Sequence, residues 1–177
     1  LGGMRWAQFK EVLFGTAVTT GMIFMILLGA DVMNAFLAVS QLPVALAETI
    51  NNAGVGPFVV LAGILILYLI LGCVMDTMSM ILLTIPIFYP IIGGLDFGMP
   101  REETLIWFGI LAVVVVEVGL ITPPVGMNVF IINGLARDVP MIESFRGVLP
   151  FLISDMIRIA ILIAFPVISL GLVRLWN

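Results

Sequence analysis

Residues 117–128 read EVGLITPPVGMN and lie inside an apolar block, residues 104–136, in which Glu117 is the only charge. A continuous helix of that length would measure about 50 Å, well over the ~30 Å hydrocarbon core of a bilayer. Two consecutive prolines each remove a backbone donor and clash with the preceding helical turn. The block therefore predicts a helix that is broken near its midpoint.

The position of this break indicates what it can do. Unwound backbone near the bilayer midplane is tolerated only if it is buried in protein or lines a cavity. Its carbonyls can coordinate a small cation, and the second half-helix presents a positive N-terminal dipole to an anion. Gly119 and Gly126 allow the required backbone angles, and Thr122 adds a hydroxyl oxygen. The candidate residues are completed by Pro123, Pro124 and Asn128.

A second apolar block, residues 57–95, also carries one central charge, Asp76. The sequence around it, GCVMDTMSM, supplies glycine, hydroxyl and carboxylate groups, so Thr77 and Ser79 join Asp76 as candidates for a polar site. Two structures fit this pattern. One is a pair of full spanning helices joined by a polar turn, and the other is a re-entrant helical hairpin whose tip lies inside the protein. Both return the chain to the side from which it entered.

The composition places the whole chain in a membrane. Of its residues 62% are apolar and 10% charged, against the roughly 45–50% and ~25% of soluble domains. The periodicity and block lengths predict an all-α integral membrane protein. A net charge of −4 without basic clusters gives no indication of nucleic-acid binding.

The remaining blocks predict ordinary spans and connections. Val12–Ala30 is long enough to cross the core, with Asp31 near the far interface. Residues 47–57 have the composition of an exposed turn, and Pro140 suits the first turn of a short interfacial helix. Residues 150–173 form the predicted last span. Near its start, Asp155 and Arg158 are three apart and are expected to pair.

These blocks give three regions and an orientation. Residues 1–56 hold the first transmembrane helix and an interfacial segment. Residues 57–136 hold the hairpin and the broken helix. Residues 137–177 hold the interfacial helix and the last span. Basic residues favour the cytoplasmic side of a membrane, which here applies to Arg5, Lys10, Arg137 and Arg146.

Intramembrane enzymes and ATP-driven pumps are disfavoured. The chain has no histidine, a single lysine and a single cysteine, Cys73, so the zinc and serine hydrolase arrangements lack partners. No GxxxxGK[ST] loop is present. An ion channel stays open as an alternative, because broken helices also build selectivity filters.

Three runs carry a resemblance to a known family. GCVMDTMSMILLTIPIFYPII, EVGLITPPVGMNVFIINGL and VLPFLISDMIRIAILIAFPVISL resemble the C-terminal half of the large membrane subunit of TRAP transporters, the tripartite ATP-independent periplasmic (DctM-like) family. The resemblance covers essentially all of the chain. It implies one inverted repeat of an elevator-type ion transporter and favours the re-entrant hairpin.

The resemblance also implies a site and partners. Sodium would be held by Gly72, Gly119 and Thr122 with nearby backbone carbonyls, as the ion that drives uptake. The substrate would be an organic acid, such as a C4-dicarboxylate or sialic acid. Expected partners are the N-terminal half of the large subunit, a small membrane subunit and a periplasmic binding protein, in the bacterial inner membrane.

Overall fold

A computed structural model describes residues 5–135 and 139–176, which form helices and connecting turns without a strand. The all-helical class predicted from the composition is therefore confirmed. Two of the described helices, the first and the seventh, are long and apolar enough to cross a membrane. The helices in chain order are α1 (Trp6–Ser40), α2 (Leu42–Asn52), α3 (Pro57–Gly72), α4 (Thr77–Gly93), α5 (Arg101–Gly119), α6 (Met127–Leu135), α7 (Met141–Ala164) and α8 (Pro166–Trp176).

The two apolar blocks with a central charge are each interrupted. Residues 73–76, here called the hairpin turn, separate α3 from α4. Residues 120–126, here called the α5–α6 break, separate α5 from α6 and contain the double proline. Asp76 caps the N-terminus of α4, since its side chain accepts a hydrogen bond from the Ser79 backbone N–H.

Helix α5 is the centre of the bundle and packs against α3, α4, α7 and α8. Its buried residues recur every three or four positions, as expected for a helix that buries a broad face. Trp107, Phe108 and Leu111 are fully buried among them. Helix α1 is different, because among the described helices it packs only against α2 and α4 and leaves most of its apolar surface exposed.

Helices α3 and α5 run parallel, so their C-termini meet. At one end, Phe97 contacts both Phe58 and Trp107, with ring centroids 5.4 Å apart in each pair. At the other end, the backbones of Gly72 and Gly119 touch. Parallel neighbours require a return connection, which α4 and residues 94–100 provide. This topology places the hairpin turn and the α5–α6 break side by side.

Polar contacts fasten the helices to one another. The buried Tyr68 hydroxyl of α3 lies 2.8 Å from the Thr84 hydroxyl of α4. The Glu103 carboxylate at the start of α5 pairs with Arg174 in the last turn of α8, with Nε 3.1 Å from Oε2. The predicted pair of Asp155 and Arg158 is confirmed at 3.0 Å.

Two expected boundaries were wrong. Helix α2 runs to Asn52, so the predicted turn at residues 47–57 is largely helical. The predicted last span, residues 150–173, does not begin at Pro150, because α7 starts at Met141 and continues through that proline. Apolar neighbours on both sides of a proline can continue a helix at the cost of one backbone hydrogen bond. The chain breaks instead at Phe165.

Some predictions fall on residues outside the described part of the chain. They are the placement of Arg137 on the cytoplasmic side, the boundary between residues 136 and 137, and the first four residues of the N-terminal region.

Candidate functional site

The hairpin turn and the α5–α6 break lie against each other and line one cavity of about 210 Å³. Both interruptions therefore line the same cavity, and their role as one binding site stays a prediction. The lining residues are Leu69, Ile70, Cys73, Val74, Thr122, Pro123, Pro124 and Val125.

Gly72 and Gly119 bring the two interruptions together. A Cβ atom added to Gly119 would lie 2.8 Å from the Cα of Gly72 and 3.1 Å from the Leu69 carbonyl oxygen. A Cβ added to Gly72 would lie 3.0 Å from the Cα of Gly119. Any other residue would force the helices apart, so the glycines set the width of the site by steric contact.

The carbonyls of Thr122 and Pro123 face the hairpin turn at this contact. Within the described residues, no backbone N–H donates to either oxygen. The donor facing them is the Cys73 thiol, whose Sγ lies 3.5 Å from the Thr122 oxygen and 3.9 Å from the Pro123 oxygen. A thiol is a weak donor, and this one also contacts the Leu69 carbonyl at 3.2 Å. Both carbonyls can therefore accept a stronger partner.

The Thr122 hydroxyl is oriented by its own helix. Its Oγ1 donates to the Val118 carbonyl at 2.6 Å. The single hydroxyl proton is used in that bond, so the lone pairs of Oγ1 remain available to accept or to coordinate. Thr122 can thus offer two oxygens, one from its side chain and one from its backbone.

Four helix ends meet around this cavity. Helices α3 and α5 end here and contribute partial negative charge from their last carbonyls. Helices α4 and α6 begin here and contribute partial positive charge from their first N–H groups. The arrangement offers a place for a cation beside the carbonyl ends and a place for an anion beside the N–H ends.

The acidic and hydroxyl candidates take different positions. Thr77 donates from Oγ1 to Oε1 of Glu117 at 3.3 Å, which joins the start of α4 to the last turn of α5. Asp76 is exposed and used as the α4 cap. Ser79 lies in the first turn of α4 and is half-buried. These residues border the hairpin turn without lining the cavity.

The far side of the break is held by α7. Gly126 has φ +54°, a conformation that glycine adopts without strain, and the ring of Phe145 lies against it. The Asn128 backbone N–H donates to the Leu120 carbonyl at 3.1 Å and closes the break into a loop, while its side chain is exposed. Asn133 bonds the Val139 carbonyl at 2.8 Å and the Ser144 hydroxyl, fixing the start of α7.

Sequence reasoning missed Cys73 and Phe145 as neighbours of the site. The position of Cys73 next to Gly72, in a predicted hairpin tip, was a usable signal. Phe145 lies nineteen residues beyond Gly126. Nothing in the local pattern links it to the break, because the contact depends on how α7 folds back.

The donors at the site fit a hard monovalent cation. Among the described residues, no three His, Cys, Asp or Glu side chains cluster so as to hold a metal ion. The oxygens available are backbone carbonyls and the Thr122 hydroxyl. Such neutral oxygen donors are the groups that coordinate sodium in discontinuous helices of ion-coupled carriers.

Comparisons with known proteins agree with the resemblance. The family model described as "Tripartite ATP-independent periplasmic transporter, DctM component" matches residues 1–168. The chain is 32% identical to the C4-dicarboxylate TRAP transporter large permease protein DctM of Pseudomonas aeruginosa over 96% of its residues. It is 30% identical to the sialic acid TRAP transporter large permease protein SiaM of Vibrio cholerae over 95% of its residues.

A third relative adds another substrate name. The chain is 28% identical to the 2,3-diketo-L-gulonate TRAP transporter large permease protein YiaN of Escherichia coli over 85% of its residues. It spans 38% of the length of each of the first two relatives and 34% of the third. No solved structure matches the chain.

Proposed function

Since the chain belongs to the DctM component family of tripartite ATP-independent periplasmic transporters, we propose that it forms part of the permease of a sodium-coupled organic-acid importer. Family membership makes it a component of a transporter rather than an enzyme. The observation that carries the proposal is the pair of carbonyls at Thr122 and Pro123, which face only a weak thiol donor at the cavity.

The helix lengths support a re-entrant hairpin. Helix α3 has 16 residues and α4 has 17, which correspond to about 24 Å and 26 Å. Each is shorter than the ~30 Å core, and the hairpin turn packs against protein at the α5–α6 break. In the proposed structure the turn stays within the membrane, and the pair of helices returns to its starting side.

Sodium is the proposed coupling ion. Its ligands would be the Thr122 hydroxyl and backbone carbonyls of the α5–α6 break, with Gly72 and Gly119 allowing the hairpin turn to approach. When bound, the ion would compensate the partial negative charge at the ends of α3 and α5. Ion binding would thereby stabilise the contact between the two interruptions.

The proposed substrate is an organic acid. Its carboxylate would lie near the N-terminal ends of α4 and α6, where N–H groups favour an anion. Candidate contacts are Asp76, Thr77, Ser79, Pro123, Pro124 and Asn128. The named relatives transport a C4-dicarboxylate, a sialic acid and a diketo sugar acid, all of which carry a carboxylate.

The proposed assembly follows from the family. The chain would work with the N-terminal half of the large subunit, a small membrane subunit and a periplasmic binding protein that delivers the substrate. The bacterial inner membrane is the proposed location, and residues 57–136 would move as part of an elevator-type transport domain. The Glu103–Arg174 pair brings the start of α5 and the end of α8 to the same side, which agrees with the proposed topology.

The decisive experiment changes the Thr122 hydroxyl. In the complete transporter, reconstituted with its partners, Thr122→Val should raise the sodium concentration for half-maximal uptake by about tenfold, because a bond to a charged species contributes ~1.5–3 kcal/mol. Thr19→Val is the matched control, since Thr19 makes the same bond to the carbonyl four residues earlier, in exposed α1. Unchanged sodium dependence in Thr122→Val with robust uptake would refute the proposed ligand set.

A further inference from the structure

The chain has another interruption, at Phe165, where α7 ends and α8 begins. Phe165 has φ −126° and ψ 74°, outside the helical region. Pro166 follows and has no N–H, so the carbonyl of Leu162, four residues earlier, has no helical donor. In a dry interior such a carbonyl is costly unless another group binds it.

Trp107 supplies the missing donor from a different helix. Its indole Nε1–H donates to the Leu162 carbonyl oxygen at 2.9 Å. Trp107 is 0% exposed and lies on α5, fifty-five residues earlier in the chain. The indole side of this bond is completely buried, while Leu162 is half-buried.

We propose that Trp107 is a positioning residue that replaces the N–H absent at Pro166 and so fixes the bend between α7 and α8 from α5. Two contacts beyond the bend support this. Leu170 of α8 is fully buried, and Arg174 pairs with Glu103 at the start of α5. Helix α8 is therefore attached to α5 at two levels beyond the bend, and the Trp107 bond attaches the last turn of α7 to the same helix.

This inference goes beyond the proposed function and does not depend on sodium or substrate. Its test measures the stability and shape of the complete transporter in detergent. The inference about Trp107 can therefore fail while the proposed function holds, and the proposed function can fail while the inference holds. The matched change at Trp107 is 3-benzothienylalanine, which keeps the two-ring shape and replaces the N–H by sulphur. Trp107→Phe serves as a second variant that also removes volume.

The first measurement is a double-mutant cycle. Replacing Trp107 by 3-benzothienylalanine should lower the melting temperature by about 1–6 °C, as expected for the loss of one part-buried hydrogen bond. Pro166→Ala provides a backbone N–H that a continuous helix would direct to the Leu162 carbonyl, so the same replacement should then lower the melting temperature by less than half as much. An equal drop in melting temperature in the Pro166 and Pro166→Ala backgrounds, or no drop in either, would overturn the proposal.

The second measurement is a distance across the bend. Spin labels at Ile153→Cys and Leu172→Cys, both exposed positions, are placed in a Cys73→Ala background. The 3-benzothienylalanine variant should broaden the distance distribution, because α8 is no longer held at one angle. A distance distribution identical to that of the protein with the natural Trp107 would show that the indole N–H does not set the bend. This measurement decides the question even if Pro166→Ala fails to fold.

Discussion

The α5–α6 break and the bend at Phe165 both interrupt an apolar helix beside proline, yet they differ in the donors that face the carbonyls left outside the helical hydrogen bonds. At Phe165 the Leu162 carbonyl receives a strong, buried donor from Trp107. In the α5–α6 break the carbonyls of Thr122 and Pro123 face only the Cys73 thiol, at 3.5 and 3.9 Å. The Leu162 carbonyl is therefore hydrogen-bonded within the protein, whereas the carbonyls of the α5–α6 break can still bind a ligand.

This contrast gives a physical criterion for discontinuous helices in membranes. Proline alone does not identify a binding site, since Pro86, Pro90 and Pro150 lie within helices of this chain. The deciding feature is the partner of the carbonyls that stay outside the backbone hydrogen bonds at the interruption. At a structural bend a strong donor within the protein binds these carbonyls, whereas at a binding site no strong donor of the protein faces them.

The largest expected effect comes from adding a methyl group where the backbones of Gly72 and Gly119 touch. Gly119→Ala places a methyl group 2.8 Å from the Cα of Gly72, so the backbones must separate. Overpacking of this kind costs about 1–3 kcal/mol, and we expect uptake to fall by roughly tenfold or more. Initial uptake rates in proteoliposomes, with the amount of folded protein measured in parallel, provide the readout.

Gly109→Ala is the matched control for this change. Gly109 lies on the same helix, and an added Cβ would meet nothing within 4 Å. Gly72→Ala should be less severe than Gly119→Ala, since its shortest contact is 3.0 Å. Equal uptake in the Gly109 and Gly119 variants would show that close approach of the two interruptions is unnecessary.

A smaller effect is expected in the reactivity of cysteines placed near each interruption, and this measurement compares the α5–α6 site with the bend at Phe165 directly. Single cysteines at positions 75–79, in a Cys73→Ala background, should react slowly with membrane-impermeant reagents, and sodium should change that rate by about three- to tenfold as the site closes. A cysteine at Val167, next to the other bend and exposed, should be indifferent to sodium. Fast labelling of positions 75–79 from the cytoplasm, unaffected by sodium, would instead indicate two full spans.

The smallest effect is expected at the bond between Thr77 and Glu117. Thr77→Val removes the donor of a 3.3 Å bond at a partly exposed position, and Glu117→Gln keeps the acceptor oxygen. We expect the half-saturating sodium concentration to rise about two- to fivefold for Thr77→Val and less for Glu117→Gln. A larger shift in Glu117→Gln than in Thr122→Val would indicate that the carboxylate itself binds the ion.

Local chemistry explains which parts of the fold were predictable. The hairpin turn and the α5–α6 break each lie inside an apolar block, at or beside a charged residue and a glycine or proline, so their positions follow from sequence alone. The length of an apolar block also indicates whether a continuous helix would fit a bilayer. The Thr122 hydroxyl was predictable as a candidate on this basis, whereas the pairing of Gly72 with Gly119 was expected from the family resemblance. The role of these residues as ligands remains a prediction.

Other features depend on distant partners and were not predictable. Pro150 and Pro166 look alike in sequence, yet only the second interrupts a helix, and its freed carbonyl is bound by Trp107, fifty-five residues from Leu162. Phe145 reaches Gly126 through the return of α7. Such contacts follow from the packing of helices around α5, which no local pattern specifies.

The contact of the hairpin turn with the α5–α6 break also bears on the order in which the chain is made. The ribosome completes α3 and α4 before it makes α5, which is the helix that both pack against. Until Gly119 has emerged, the turn has no backbone partner, and the two short helices have no buried face to share with α5. We expect residues 57–93 to stay loosely inserted, and exposed to membrane proteases, until translation has passed the double proline.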